Sequence, residues 1–214
     1  MPQAMAIKES SDELGSTVGA PAAIVTQLRT SRTAGDYFAL AVSTCGVGYL
    51  PIAPGTWGSL VGVGFYLLLW SLGQKVLFAN AAIRRFTLLE VETPQLAFML
   101  ILIFLVSIAG IWAASRAERL YQQKDPGIVV IDEVAGQMIA LLPGPFYVHT
   151  WWSIISAFVL FRAFDIWKPY PIRSLEKLES GLGIMADDVV AGIYAVIVNT
   201  ALVSAYLLFF PGSR

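Results

Sequence analysis

Five carboxylates lie in three short polar stretches of a chain that is otherwise apolar. They are Asp132 and Glu133 in KDPGIVVIDEVAGQ (124–137), Asp165 in FRAFDIWKPYP (161–171), and Asp187 and Asp188 in GLGIMADDVVAG (181–192). An ionised carboxylate in apolar surroundings is costly unless something pairs with it. A divalent cation is the usual partner where several gather. Arg162, Lys168 and Arg173 flank the second stretch. Acids for a hard metal and cations for an anion suggest metal-assisted chemistry on a phosphate.

Each stretch also has a plainer reading. Arg162 and Asp165 are three residues apart, as are Asp165 and Lys168, so all three can line one helical face, as a site or as a salt-bridge ladder at a membrane edge. Adjacent Asp132 and Glu133 do not share a helical face closely, and an acidic first turn that complements the helix dipole would explain both. One of Asp187 and Asp188 suffices as a cap for the last helix, and the second exceeds that need. CGVGYLPIAPGTWGSL (45–60) reads as a Gly/Pro-rich turn at Pro54–Gly55 entering a helix, with Thr56 or Ser59 as its cap. Such a helix start can seat a phosphate or be an ordinary capped turn. It is not a Walker loop, because no Gly-Lys-Ser/Thr follows at the required spacing. Cys45 reads as a small core residue and His149 as a loop-tip residue without a catalytic role. Glu176 and Glu179 read as a solvated face.

The elements that position these residues follow from composition. Hydrophobic residues make up 57% of the 214 and charged residues only 14%, which points to a membrane protein over an apolar soluble bundle. A net charge of −1 gives no field to attract nucleic acid. One cysteine and one histidine exclude a disulfide framework and a thiolate or histidine zinc centre. Residues 1–35 are polar, lack an apolar signal core and read as a flexible cytoplasmic tail. Apolar segments at 59–72 (extendable to 79), 96–114, 129–142, 150–164 and 189–210 predict an all-α, multi-helical bundle. It has about five apolar helices, is membrane-embedded or membrane-associated, and carries its polar site at one end. The third and fourth segments would form a hairpin with its tip at 143–149. All three acidic stretches then share one side with most of the Lys and Arg, which the positive-inside bias puts in the cytoplasm.

In order along the chain, PIAPGTWGS (51–59), KDPGIVVIDEVAGQ, FRAFDIWKPYP and GLGIMADDVVAG resemble the motifs of the phosphatidylglycerophosphatase A family. The resemblance covers roughly residues 36–208 and leaves the tail outside a single domain at 36–214. It implies an all-helical, Mg²⁺-dependent enzyme of the bacterial inner membrane. The reaction it implies is removal of the terminal phosphate of phosphatidylglycerophosphate, with the site facing the cytoplasm. Carried onto this chain, it makes Asp132, Glu133, Asp165, Asp187 and Asp188 metal ligands. Asp132, Glu133, Asp165 and Asp188 take catalytic roles, with Glu133 as ligand or general base. Arg162, Lys168 and Arg173 would bind the phosphate, with Thr56 and Ser59 completing its cradle. The partners implied are a phospholipid substrate and the membrane, with no nucleic acid; the oligomeric state stays open. The alternatives are a phosphatase for another lipid phosphate and a non-catalytic magnesium-binding or transport bundle. Transport would spread the acids through membrane depth, whereas here they gather at segment ends.

Overall fold

Long apolar segments broken by Pro and Gly fold as helices, and every described element is helical. The computed structural model describes residues 32–84, 88–142 and 150–209. The tail expected at 1–35 therefore falls, through residue 31, outside the described residues, as do the hairpin tip at 143–149 and His149. From Ala34 onward the chain forms one unit. Its elements are α1 (Ala34–Thr44), a 3-10 turn (Val47–Tyr49), α2 (Pro54–Arg84), α3 (Leu88–Tyr121), α4 (Ile131–Ala140), α5 (Trp151–Trp167), α6 (Ile172–Leu175) and α7 (Ser180–Phe209).

Among the described residues, three helices are long and apolar enough to cross a membrane, over Pro54–Val76, Glu92–Tyr121 and Ser180–Phe209. They turn large apolar side chains outward, Leu68, Ile101, Phe104 and Ile197 among them, as lipid-facing surfaces do. The third expected segment shrinks to the ten residues of α4, whereas the fourth runs slightly longer than expected, to the seventeen of α5. Helix α1 was not anticipated. An ion pair of 2.6 Å between Asp36 and Arg116 ties it to α3.

Two helix starts differ from expectation. Pro54 opens α2, preceded by Ala53 at φ 48°, so Gly55, Thr56 and Ser59 lie inside the helix. Pro at the first helical position lacks an N–H that would have no partner there. Neither hydroxyl caps α2. The Thr56 and Trp57 N–H groups donate to the Ala53 carbonyl at 3.0 and 3.3 Å, and Ser59 Oγ donates to the Gly55 carbonyl at 2.9 Å. Helix α7 begins at Ser180, which puts Asp187 and Asp188 two turns inside it, too far along to cap it.

The centre of the unit is α4. Nine of its ten residues are buried, and it packs against α2, α3, α5 and α7. The closest approach is to α7. A Cβ on Gly192 would collide with the Gly136 carbonyl oxygen and lie 3.0 Å from Ile139 Cβ. A Cβ on Gly136 would lie 2.5 Å from the Phe161 ring and 2.6 Å from the Asp188 carbonyl oxygen. Two glycines thus let the backbones touch, the small-residue device of membrane helices.

Gly192→Ala is expected to lower the thermal midpoint in detergent, at a cost of about 1–3 kcal/mol. Gly64→Ala is the control: nothing lies within 4 Å of a Cβ there. Exchanging glycine for alanine in an open helical position gains up to about 1 kcal/mol. Equal midpoints for wild type and Gly192→Ala would remove the α4–α7 contact as a constraint.

Candidate active site

The site is built around the start of α4. Val130 precedes the helix and has no side-chain oxygen to cap it, and its N–H donates to the Ser43 carbonyl at 2.8 Å, which fixes the entry of the chain. Asp132 and Glu133 occupy the first turn. Asp188 reaches them from α7. One carboxylate oxygen from each of Asp132, Glu133 and Asp188 lies within 4.8 Å of the others. Asp188 is only 3% exposed and Asp132 8%. Asp132 Oδ1, Glu133 Oε2 and Asp188 Oδ2 are buried without a hydrogen-bond partner. Adjacency did not keep Asp132 and Glu133 apart, because side chains in a first turn can fold back toward the helix end. Glu133 does so, and its carboxylate accepts from its own backbone N–H.

Helix α5 adds Arg162 and Asp165. Arg162 Nη1 stands 2.6 Å from Asp165 Oδ2, the ion pair the i,i+3 spacing anticipated. Asp165 lies within hydrogen-bonding range of Asp188 and acts electrostatically on Glu133, as does Arg162. Helix α2 closes the remaining wall with Gly55, where a Cβ would collide with Glu133 Oε1 and sit 3.2 Å from Arg162 Nη1. Read from sequence as a turn residue, Gly55 instead leaves room for two charged groups.

Burial pushes the Asp132 carboxyl well above the usual range, and the negative charges of Glu133 and Asp188 push it further. Glu133 is raised by the same desolvation, opposed in part by its hydrogen bond with Asp132 and by Arg162. Crowded, buried and unpartnered carboxylate oxygens are the donor set that a hard divalent cation satisfies. Cys45 is pushed up to about 11, first by burial and then by the charge of Glu133, so its thiol stays protonated. It donates to the Val42 carbonyl at 3.4 Å, as a packing residue.

The remaining predicted residues are arranged differently. Helix α5 ends at Trp167, and Lys168 takes a left-handed conformation that carries it away from Asp165. Its ammonium instead lies 2.8 Å from Asp187 Oδ2 and 2.5 Å from Glu176 Oε1. Burial opposes that charge, but the hydrogen bonds to Asp187 and Glu176 outweigh it and hold the lysine pKa above its ordinary value. Asp187 Oδ1 accepts the Asp188 N–H at 3.1 Å. Both Asp187 oxygens are therefore engaged, and this residue is not one of the three that converge. Glu176 is half of an ion pair and not a purely solvated acid. Arg173 is exposed on α6, outside the acid cluster. Thr56 is half-buried at the α2 start, and Ser59 is fully buried with its hydroxyl turned onto its own helix.

Two further residues escape sequence reasoning altogether, and a third reads there only as a turn residue. Asp125, in the turn that opens the first acidic stretch, lies within electrostatic reach of Lys168, Asp165 and Asp132. Gln137, one turn beyond Glu133, is fully buried, and neither end of its amide has a partner. Gly55 is the third. All three stand inside motifs already singled out, and the signal was their place in those motifs.

Two measurements check this geometry. A raised folded-state pKa favours the neutral carboxyl. Metal-free protein therefore has its full stability below the ordinary carboxylate range and loses it as pH rises through the raised values of Asp132 and Glu133. In EDTA the thermal midpoint should fall as pH rises above the ordinary carboxylate range of about 4, and Mg²⁺ should remove the fall. Identical profiles with and without metal would rule out a cation at these acids. The Lys168–Asp187 pair should show coupling of about 0.5–3 kcal/mol in a double-mutant cycle of Lys168→Ala and Asp187→Ala. Strict additivity would mean the pair contributes nothing.

A family model for phosphatidylglycerophosphatase A matches residues 40–203. A Haemophilus influenzae protein named phosphatidylglycerophosphatase A is 40% identical over 159 residues, which is 73% of this chain and 83% of that protein. An Escherichia coli protein of the same name is 31% identical over 168 residues, 78% of each. A Bacteroides thetaiotaomicron protein provisionally named a phosphatidylinositol-3-phosphatase is 39% identical over 154 residues, 71% of this chain and 84% of that protein. No solved structure gives a significant match.

Proposed function

The chain belongs to the phosphatidylglycerophosphatase A family, and from that premise we infer that its acid cluster hydrolyses the terminal phosphomonoester of phosphatidylglycerophosphate. The products are phosphatidylglycerol and inorganic phosphate, a step of phospholipid biosynthesis. The observation that carries this reading is the convergence of three carboxylates, each with a buried oxygen that lacks a partner, beside the Arg162–Asp165 pair.

Asp132, Glu133 and Asp188 would hold Mg²⁺, with Asp165 within reach. A bound magnesium ion neutralises phosphoryl charge and lowers the pKa of water. Arg162 supplies a cationic donor to the phosphoryl oxygens, where charge builds as the bond to the leaving oxygen breaks. Glu133 would also take the proton of the attacking water through its second carboxylate oxygen. Water oxygen bonds to phosphorus, the bond from phosphorus to the glycerol oxygen breaks, and that oxygen leaves as the product hydroxyl after gaining a proton. Gly55 keeps the space in which Glu133 and Arg162 stand.

The apolar outer faces of α2, α3 and α7 support acyl chains staying in the bilayer while the headgroup meets the acids. The bias of Lys and Arg toward the motif side supports a cytoplasmic site in a bacterial inner membrane. The differing headgroup in the name of the Bacteroides relative makes another lipid phosphomonoester the second reading.

Purified protein in detergent is expected to release phosphate from phosphatidylglycerophosphate with Mg²⁺ and to stop in EDTA. Asp188→Asn and Glu133→Gln should each lower kcat by about 100-fold or more while the thermal midpoint stays measurable. Near-normal turnover by either variant would remove that acid from the chemistry. A larger kcat/KM for a phosphorylated inositol lipid would favour the second reading.

A further inference from the structure

The corner between α5 and α6 holds a cavity of about 510 Å³, lined in part by Trp167, Lys168, Tyr170, Arg173, Ser174 and Lys177. We propose that this cavity seats the phosphodiester of the lipid headgroup while the acid cluster takes the terminal phosphomonoester. The proposal rests on the function inferred above and gives Arg173 a different anion from the scissile one.

Charge is the first argument. Among the described residues, three cationic side chains and a serine hydroxyl line the cavity, and no carboxylate does. Lys168 already has acid partners, whereas Arg173 and Lys177 are exposed and form no ion pair with a described acid. A diester carries one negative charge and is not cleaved. Arginine and lysine donors match it without a metal. Depth is the second argument. Trp167 is 71% exposed and Tyr170 85%. Exposed aromatics beside cations occupy the headgroup level of a bilayer, where the diester of a membrane lipid lies. Continuity is the third. Lys168 lines the cavity and also holds Asp187, whose neighbour Asp188 belongs to the acid cluster. The Lys168–Asp187 ion pair thus joins the wall of the cavity to the residue next to Asp188, so the two anion seats share one connected stretch of structure.

The test uses Arg173→Ala, Lys177→Ala and Arg173→Lys in detergent micelles at fixed lipid mole fraction. KM for phosphatidylglycerophosphate is measured together with two competitive inhibition constants. Phosphatidylglycerol keeps only the diester, and inorganic phosphate reports on the monoester seat. For the alanine variants kcat/KM is expected to fall about tenfold, mostly through KM, as the loss of one charge-assisted hydrogen bond would produce. The inhibition constant of phosphatidylglycerol should rise in parallel, that of inorganic phosphate should not, and Arg173→Lys should restore part of the loss. An unchanged constant for phosphatidylglycerol overturns the proposal. A rise for inorganic phosphate also overturns it, by placing these cations at the scissile group. So does an effect confined to vesicle association, which would make the corner a general contact with anionic membranes. Direct binding of phosphatidylglycerol by wild type and variants is measured as well. Absence of turnover in the wild type would sink the assigned reaction, and the binding comparison would still decide whether the seat exists.

Discussion

A ten-residue helix is about 15 Å long, roughly half of a bilayer's hydrocarbon thickness. Helix α4 can neither cross the membrane nor leave its ends in lipid, because unpaired backbone groups have no partner there. Protein must enclose it, and the remaining architecture meets that demand. The long helices α2, α3 and α7 turn apolar surface outward and meet α4 on their inner sides, while α5 closes the gap between them. Ala135, Gly136 and Ala140 keep α4 thin enough to fit, and Gly192 lets α7 reach its backbone.

Enclosing α4 also determines where the chemistry can be. The N-terminus of a helix carries partial positive charge and free N–H groups. In α4 that end is walled by α2, α5 and α7, and the first-turn acids sit against it. The same burial that makes ionised Asp132 and Glu133 costly excludes bulk water that would otherwise compete for a cation or a phosphate. A bundle whose central helix spanned the membrane would place this end at an open surface, and much of that electrostatic leverage would be lost to screening.

The chain's alternation of apolar runs and Pro/Gly breaks was enough to read an all-helical bundle, and the order of the acidic stretches was enough to bring them to one place. Spacing rules worked where both partners share a helix: Arg162 and Asp165 pair as three-residue separation dictates. They failed where a helix ended. Lys168 follows the same spacing from Asp165, but its left-handed conformation sends it to α7 and to Glu176. Local rules also misjudged Asp187 and Asp188 as possible caps, because nothing within that stretch shows that α7 begins at Ser180. The closeness of Gly55 to Glu133 is a contact between segments far apart in sequence, and a glycine beside a proline reads locally as a turn.

The acids of the site divide by whether a cation already answers them. Asp187 has Lys168 and the Asp188 N–H, and Asp165 has Arg162. Asp132, Glu133 and Asp188 each keep a buried oxygen that no side chain or backbone group satisfies. In a low-dielectric interior the first group is already balanced, and through Asp187 it fixes how two helices meet, whereas the second has an electrostatic need that a proton or a bound cation fills. The Lys168–Asp187 pair locks the end of α5 to the second turn of α7, and so holds Asp188 against α4 without spending Asp188's own oxygens. Orphaned acids held in place by satisfied ones form a pre-organised receptor for charge, because the cost of crowding them was met during folding and is recovered when the cation binds.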